Sequence, residues 1–134
     1  MNCPLTKKQI EHLQKLHVNL VYLFGSLAEG KNQPLSDVDI GVVFFSKFIH
    51  RNNFNKVYNE LYDIFTNVYP DESIDIVFLQ KAGLELCFDA ITNGQILYEF
   101  SKDERFQFEE KINIFFADFN PLLREFDKAI MNRI

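Results

Sequence analysis

The residues best suited to chemistry are two aspartates, Asp37 and Asp39, separated by one residue in an apolar, β-prone run. Because side chains alternate along a strand with a period of two, both carboxylates must project from the same face. Two neighbouring carboxylates repel each other, and a divalent cation is the usual compensation. Oxygen ligands suit magnesium, which binds through one or two carboxylates and completes its shell with water and substrate phosphates. The spacing therefore predicts a magnesium–nucleotide site.

A glycine–serine turn lies ten residues before the first of these aspartates. Gly25 and Ser26, followed by Asp37 and Asp39, give the pattern G-S-x10-D-x-D, and Ser36 stands directly before the first aspartate. Glycine permits a tight turn and a close approach of the backbone to phosphate. A serine hydroxyl and nearby amides can donate hydrogen bonds to phosphate oxygens, as a helix N-terminus does. We therefore predict that Gly25, Ser26 and Ser36 bind the nucleotide.

Two other loop motifs fit part of this stretch and fail at their remaining positions. The run from Gly25 to Lys31 matches the phosphate-loop pattern G-x-x-x-x-G-K. However, Asn32 stands where a magnesium-binding Ser or Thr is required, and Pro34 interrupts the helix that should follow. A calcium loop beginning at Asp37 requires a bidentate Glu at its twelfth position, where this chain has Phe48.

The G-S-x10-D-x-D pattern closely resembles that of the minimal nucleotidyltransferase (MNT) domains of the DNA polymerase β superfamily. The resemblance implies that Asp37 and Asp39 hold the metals and that a neighbouring strand supplies a third carboxylate. Asp75 is the candidate, because it lies inside the β-prone run Ser73–Leu79, where burial of an unpaired charge would be costly. The resemblance assigns Asp75 metal ligation and activation of the attacking hydroxyl, which is the task of a general base. Asp37, Asp39 and Asp75 are thus the predicted catalytic and metal-binding residues.

The resemblance also implies an activity and a partner. MNT proteins of this size are commonly paired with HEPN-domain ribonuclease toxins, and some of them transfer AMP from ATP to a toxin tyrosine. The implied function is a Mg²⁺-dependent transfer of AMP from ATP to a hydroxyl of a HEPN-type partner, with this chain as the antitoxin. Two alternatives remain, namely a non-catalytic antitoxin that binds nucleotide and neutralises its partner by docking, and transfer to a small molecule such as an antibiotic. Many relatives have an arginine where this chain has Glu29, so either Lys31 neutralises the triphosphate in its place or the affinity for nucleotide is lower.

Hydrophobic periodicity and capping signals predict an α/β or α+β domain with the element order α-β-β-α-β-α-β-α, in which helices pack on a small sheet. The resemblance to MNT domains implies that this is a nucleotidyltransferase fold with a small mixed β-sheet. The predicted strands are Val18–Phe24, Asp37–Phe45, Ser73–Leu79 and Gln95–Phe100. The predicted helices run from a capping box at Thr6 to about His17, over Phe54–Val68, over Ala82–Asn93, and onward from a second capping box at Ser101 with a break near Pro121.

Length and composition indicate the number of domains, the kinds of partner and the location to expect. The 134 residues predict a single domain, 1–134, ending in a Phe-rich helical tail from about residue 102. A net charge of −5 argues against direct nucleic-acid binding, which needs clustered Lys and Arg. Two cysteines provide no disulfide framework, and no apolar run approaches the roughly 20 residues of a membrane helix. We therefore expect a cytoplasmic protein with no membrane partner, and a homo-oligomer and a hetero-oligomer both remain open.

Overall fold

The structure is a computed structural model that describes residues 3–25, 37–48 and 53–131, with side chains up to residue 118. Within these ranges, helices and strands follow one another in the predicted order. The helices are α1 (Lys7–Lys15), α2 (Phe54–Val68), α3 (Leu84–Asn93) and α4 (Lys102–Met131), and the strands are β1 (Val18–Phe24), β2 (Val38–Phe44), β3 (Ile74–Phe78) and β4 (Gln95–Glu99). Short 3-10 helices at Ser46–Phe48 and Leu79–Lys81 follow β2 and β3.

Across the described part of the chain, the four strands form one mixed sheet in the order β3-β2-β1-β4. Strand β1 pairs antiparallel with both β2 and β4, whereas β2 and β3 are parallel. A parallel pair needs a crossover connection, and α2 provides it between β2 and β3. The end of β1 and the beginnings of β2 and β3 therefore meet at one end of the sheet. The predicted fold, a small mixed sheet with helices packed on it, is confirmed.

Helices cover both faces of this sheet. One core cluster joins alternate residues of β2, among them Val38, Ile40 and Val42, to Leu13 of α1 and Leu61 of α2. A second cluster on the opposite face joins strand residues to side chains of α3 and α4, and its members include Tyr22, Val43, Cys87, Ala90 and Ile112. Because side chains alternate along a strand, the residues of β2 between those of the first cluster face α3 and α4.

Helix α4 is held on this second face by a hydrogen-bonded network of partly buried charges. The Tyr22 hydroxyl of β1 donates to Oε2 of Glu109 at 2.9 Å, and Arg105 Nη1 donates to Oε1 of the same carboxylate at 3.0 Å. Nε of Arg105 also donates to the Glu99 carboxylate of β4. Burial, followed by the hydrogen bond to Glu109, raises the pKa of Tyr22, so this hydroxyl stays protonated. The network fixes the first turns of α4 above β1 and β4.

The predicted capping signals account for where two of the helices begin. Thr6 and Gln9 form a complete capping box at α1, with the Gln9 amide 3.2 Å from Thr6 Oγ1 and the Thr6 amide 2.8 Å from Gln9 Oε1. At α4 the Ser101 hydroxyl accepts a hydrogen bond from the Glu104 amide at 3.3 Å. These contacts satisfy amides that have no partner inside a helix.

The ends of α3 and α4 have different causes. Gly94 ends α3 with a φ of −79°, and a β-carbon there would overlap the carbonyl oxygen of Ala90. Close packing, not backbone conformation, therefore requires glycine at this position. The predicted break near Pro121 is wrong, because α4 continues through it to Met131. An interior proline removes one amide donor from a helix, but here it does not end the helix. No helix in the described ranges is long and apolar enough to cross a membrane.

Candidate active site

The parallel pairing of β2 and β3 brings two of the predicted carboxylates together. Asp39 and Asp75 are direct partners in the register, and the ladder begins with the Val38 amide donating to the Ser73 carbonyl at 2.7 Å. Their neighbours Val38, Ile40, Ile74 and Ile76 pack into the core on the α1–α2 side. By alternation, both aspartates face the α3–α4 side. Asp39 is half-buried and Asp75 is exposed, so the pair lies at the accessible margin of this face.

Asp37 completes the acidic group at the same end of the sheet. It lies one residue before β2 begins and is exposed, whereas the predicted strand included it. Its charge is close enough to Asp39 to affect the ionisation of that residue. The structure thus brings all three predicted catalytic residues to one end of β2 and β3.

Gly25 lies against Asp39 at this end. Strand β1 places Phe24 opposite Asp39, and Gly25 follows with a left-handed φ of 80°. A β-carbon at Gly25 would overlap Oδ2 of Asp39 and lie 3.1 Å from its Cγ. The turn therefore requires glycine for two reasons, its backbone conformation and the space taken by the carboxylate. Gly25 and Asp39, both predicted to belong to the site, therefore lie directly against each other.

The electrostatics of Asp39 reflect this crowding. Burial raises the pKa of Asp39 above its usual value, and the negative charges of Asp75, Asp37 and Asp89 raise it further. Each of these effects disfavours the ionised form of a carboxyl group. Among the described residues, these carboxylates thus repel one another, and a bound cation would relieve that repulsion.

The sequence did not point to Asp89 of α3. This half-buried residue lies between the core residues Cys87 and Ala90, and its Oδ1 accepts a hydrogen bond from Asn93 Nδ2 at 2.8 Å. The last turn of α3 also lies close to the end of β1, because a β-carbon at Gly94 would be 3.0 Å from the Leu23 carbonyl oxygen. The spacing of apolar residues along α3 shows which face of the helix is buried. It does not show that the end of α3 lies near Asp37, Asp39 and Asp75.

The donor set fits magnesium better than a metal enclosed entirely by protein. In the described ranges, no three side chains of His, Cys, Asp or Glu are gathered tightly enough to hold an ion by themselves. Magnesium typically takes one or two carboxylates and obtains its other ligands from water and substrate phosphates. Asp39 and Asp75, with Asp37 beside them, provide such an incomplete set of oxygen ligands. The site thus fits a cation that arrives with a nucleotide.

Several predicted residues lie outside the described ranges, and two lysines that follow strands lie elsewhere in the fold. Ser26 and Ser36, predicted to bind the nucleotide, are outside the ranges, as are Glu29 and Lys31. Lys47 and Lys81, two cations at strand ends, lie at the far end of the sheet, where their Nζ atoms are 5.2 Å and 3.9 Å from the ring centroids of Phe48 and Phe54.

Comparison with known proteins identifies a family and several solved structures to which this chain is similar. Residues 7–105 match the family described as polymerase beta, nucleotidyltransferase, whereas no curated protein matches the sequence. A chain of a toxin–antitoxin crystal structure with AMP-PNP is 25% identical, with a TM-score of 0.69 over 95% of this chain and 99% of that chain. A chain of a mutant MntA–HpeT toxin–antitoxin structure is 24% identical, with a TM-score of 0.70 over 92% of this chain and 96% of that one.

A third similar chain comes from a structure of tri-AMPylated Shewanella oneidensis HEPN toxin in complex with MNT antitoxin. It is 20% identical, with a TM-score of 0.58 over 93% of this chain and 98% of that chain. These three similar chains come from structures of toxin–antitoxin complexes, and the likeness shows that this chain shares their fold. The family match covers well over half of the chain and includes Gly25, Asp37, Asp39 and Asp75. This protein therefore belongs to the polymerase beta nucleotidyltransferase family.

Proposed function

We propose that this protein is the antitoxin of a HEPN-type toxin and that it acts as a Mg²⁺-dependent nucleotidyltransferase, moving AMP from ATP to a partner hydroxyl. The observation that carries the proposal is the direct pairing of Asp39 with Asp75, with the backbone of Gly25 against Asp39. Toxin–antitoxin relatives, one of them with AMP-PNP and one with an AMPylated toxin, support the same substrate and acceptor.

The residues divide into nucleotide-holding and proton-accepting roles. Asp37 and Asp39 would hold the magnesium ions, with Asp75 as a further ligand, and the absence of a side chain at Gly25 lets the backbone lie against the Asp39 carboxylate. When bound, magnesium supplies positive charge that orients the phosphates and offsets the charge of the leaving group. Ser26 and Ser36 remain the residues predicted to bind phosphate.

In the proposed reaction the partner hydroxyl attacks the α-phosphorus of ATP. A bond forms between the hydroxyl oxygen and this phosphorus, the bond from phosphorus to the bridging oxygen breaks, and pyrophosphate leaves. Asp75 accepts the hydroxyl proton. Its exposure supports this role, because a partner must reach it from solvent. General-base assistance typically contributes about 10²–10⁴-fold to a rate.

The test is transfer of label from α-labelled ATP to a purified HEPN-type partner in the presence of Mg²⁺. We expect transfer by the wild-type chain and a loss of at least about 10²-fold in Asp37→Asn, Asp39→Asn and Asp75→Asn. Asp63→Asn is the matched control, because Asp63 is exposed on α2 beneath the opposite face of the sheet. Transfer that survives all three site substitutions would contradict the proposed roles.

A second function, neutralisation by docking alone, is favoured by exposed apolar residues on α4. Phe106, Ile114 and Phe115 are 54%, 50% and 49% exposed, and large exposed apolar patches typically mark interaction surfaces. The same assay separates the two functions. If no label is transferred and the toxin is still neutralised by the aspartate variants, docking is the function and the catalytic proposal is wrong.

A further inference from the structure

Strand β3, which carries Asp75, is an outer strand of the sheet. Among residues 3–25, 37–48 and 53–131, the strand order β3-β2-β1-β4 leaves β3 paired on one side only, with β2. The outer side of such a strand presents unpaired backbone N–H and C=O groups, which can pair with another extended chain. The proposed general base therefore lies on a strand that can still accept a neighbour.

The register identifies which backbone groups face outward. The Val38 amide donates to the Ser73 carbonyl, and Val38 pairs with Ile74. In a parallel ladder this arrangement directs the amides of Asp75 and Val77 toward β2, because inward and outward groups alternate along the strand. The amides of Ile74, Ile76 and Phe78 consequently point away from the sheet. In the part of the chain that is described, no hydrogen bond to these three amides is observed.

The opposite edge of the sheet differs in this respect. At β4, the sulfhydryl of Cys3 donates to the carbonyl oxygen of Leu97 at 3.2 Å, so an outward-facing backbone group of that strand already has a partner. An edge strand covered in this way is protected from pairing with another chain. The contrast makes β3, rather than β4, the strand suited to receive a further one.

We propose that the acceptor segment of the partner docks as an extended strand along the outer edge of β3, with the reactive hydroxyl opposite Asp75. This inference rests on the proposed transfer of AMP. Side chains directly opposite on neighbouring strands have Cβ atoms about 4.5–5.5 Å apart and share a face of the sheet. A residue opposite Asp75 would therefore face the same side as Asp39 and bring its hydroxyl to the Asp75 carboxylate. The side-chain order across the sheet would be Asp39, Asp75 and the acceptor.

This mode of docking also predicts features of the acceptor sequence. Backbone pairing in this mode gives affinity, whereas alternate side chains give specificity. Since β3 has five residues, the docked segment needs a similar length. A carboxylate opposite Asp75 would be repelled, because like charges directly across a ladder are destabilising. The acceptor segment is therefore an extended run with a Tyr, Ser or Thr at one position and no acidic residue in its place.

Amide-resolved hydrogen exchange, measured by nuclear magnetic resonance, tests the proposed pairing. The isotope-labelled chain is compared alone and in complex with the HEPN-type partner, a non-hydrolysable ATP analogue and Mg²⁺. We expect the amides of Ile76 and Phe78 to exchange at least tenfold more slowly in the complex, as hydrogen-bonded amides do. The amides of Asp75 and Val77 are internal controls, because they bond to β2 in both states. Label transfer is measured in parallel on the same purified proteins with labelled ATP and Mg²⁺ in place of the analogue.

The outcomes distinguish this inference from the function on which it rests. Label transfer without added protection of Ile76 and Phe78 would overturn strand docking and leave the transferase proposal standing. Protection of these alternate amides without label transfer would support the docking and contradict the chemistry. Equal slowing of exchange along the whole of β3, with no difference between outward and inward amides, would also overturn the inference, since that pattern indicates simple coverage.

A pair of variants gives an independent readout. Ile76→Pro and Ile76→Ala both remove most of a core side chain, but only proline also removes the outward amide donor. Proline is tolerated in an edge strand when the lost N–H faces solvent. We expect Ile76→Pro to transfer label to the partner at least tenfold more slowly than Ile76→Ala. Equal rates would overturn strand docking, and if either variant fails to fold, the exchange measurement on the wild-type chain decides.

Discussion

Gly25 has no space for a side chain, and this constraint links the turn after β1 to the catalytic carboxylate. Gly25→Ala must adopt a left-handed conformation and displace Oδ2 of Asp39. We expect the free energy of unfolding to fall by about 1–2 kcal/mol, the cost of that conformation for an L-residue. We also expect transfer to fall by at least about tenfold, because small displacements of reacting groups are costly. Urea denaturation and the label-transfer assay measure the two effects.

Gly83 provides the control for this substitution. It has an ordinary φ of −67°, and a β-carbon there meets no atom within 4 Å. Gly83→Ala should lower stability by no more than about 1 kcal/mol, the cost of a less suitable N-cap residue, and leave transfer unchanged. If Gly25→Ala transfers label as fast as Gly83→Ala does, the contact between Gly25 and Asp39 is not part of the site.

The raised pKa of Asp39 predicts a dependence of stability on pH. Because the folded state holds this proton more tightly than the unfolded chain does, folding gains stability below the ordinary pKa of 3.8 and loses it as pH rises through the folded pKa. The variant Asp39→Asn has no carboxyl group at this position, so its stability does not fall in this way as pH rises. Without Mg²⁺, we expect the variant to become progressively more stable than the wild type as pH rises from about 4 to 7. Urea denaturation at several pH values measures the difference.

Magnesium should act in the opposite direction on the wild-type chain. A cation bound to Asp39 relieves the charge repulsion, so added Mg²⁺ should narrow the stability difference between the wild type and Asp39→Asn at neutral pH. Asp63→Asn serves as the control, because its exposed carboxylate lies on α2, away from the acidic group. A neutral-pH result in which metal-free Asp39→Asn is less stable than the wild type would contradict the repulsion inferred for this site.

The secondary-structure elements themselves could largely be predicted from the sequence. Each strand was predicted to within about two residues, since their apolar, β-branched runs end at polar or glycine-containing turns. The capping box at Thr6 and Gln9 fixed the beginning of α1 for the same local reasons. The proline signal at Pro121 was misleading, because helix formation depends on the flanking residues as well as on the single lost amide.

Pairing between elements was harder to predict than the elements. The residues of Ser73–Leu79 do not by themselves indicate that this strand pairs with β2. They also do not indicate that Asp75 lies opposite Asp39 rather than one residue away along the strand. A shift by one residue would turn the side chain to the other face. Resemblance to a family supplied the expectation. The core is consistent with it, since a shift by one residue would take Ile74 and Ile76 off the face that they share with Val38 and Ile40. Asp89 was missed because its position depends on how α3 crosses the end of β1.

At the scale of the whole molecule, the two ends of the sheet differ in charge. The acidic group lies where β2 and β3 begin, whereas Lys47 and Lys81 lie just beyond their ends. Asp39 and Phe44 are five residues apart in β2, which corresponds to about 17 Å at the rise of an extended strand. Neither lysine is therefore placed to contact a triphosphate at Asp39, although both follow strands that carry site residues.

The separation of the two ends predicts how lysine substitutions affect nucleotide binding. Lys47→Met with Lys81→Met should leave the KM for ATP within about twofold, because exposed charges this far apart are largely screened at ordinary ionic strength. The lost contact of Lys81 with Phe54 should lower the unfolding free energy by about 0.5–1 kcal/mol. Lys31→Met, in the connection after Gly25, is the matched substitution and should raise the KM, since Lys31 is the cation predicted to neutralise the triphosphate. Steady-state transfer kinetics and urea denaturation measure these effects.

A tenfold rise in the KM of the double variant, with the KM of Lys31→Met equal to that of the wild type, would place the triphosphate at the far end of the sheet. That result would contradict the site described for Asp37, Asp39 and Asp75.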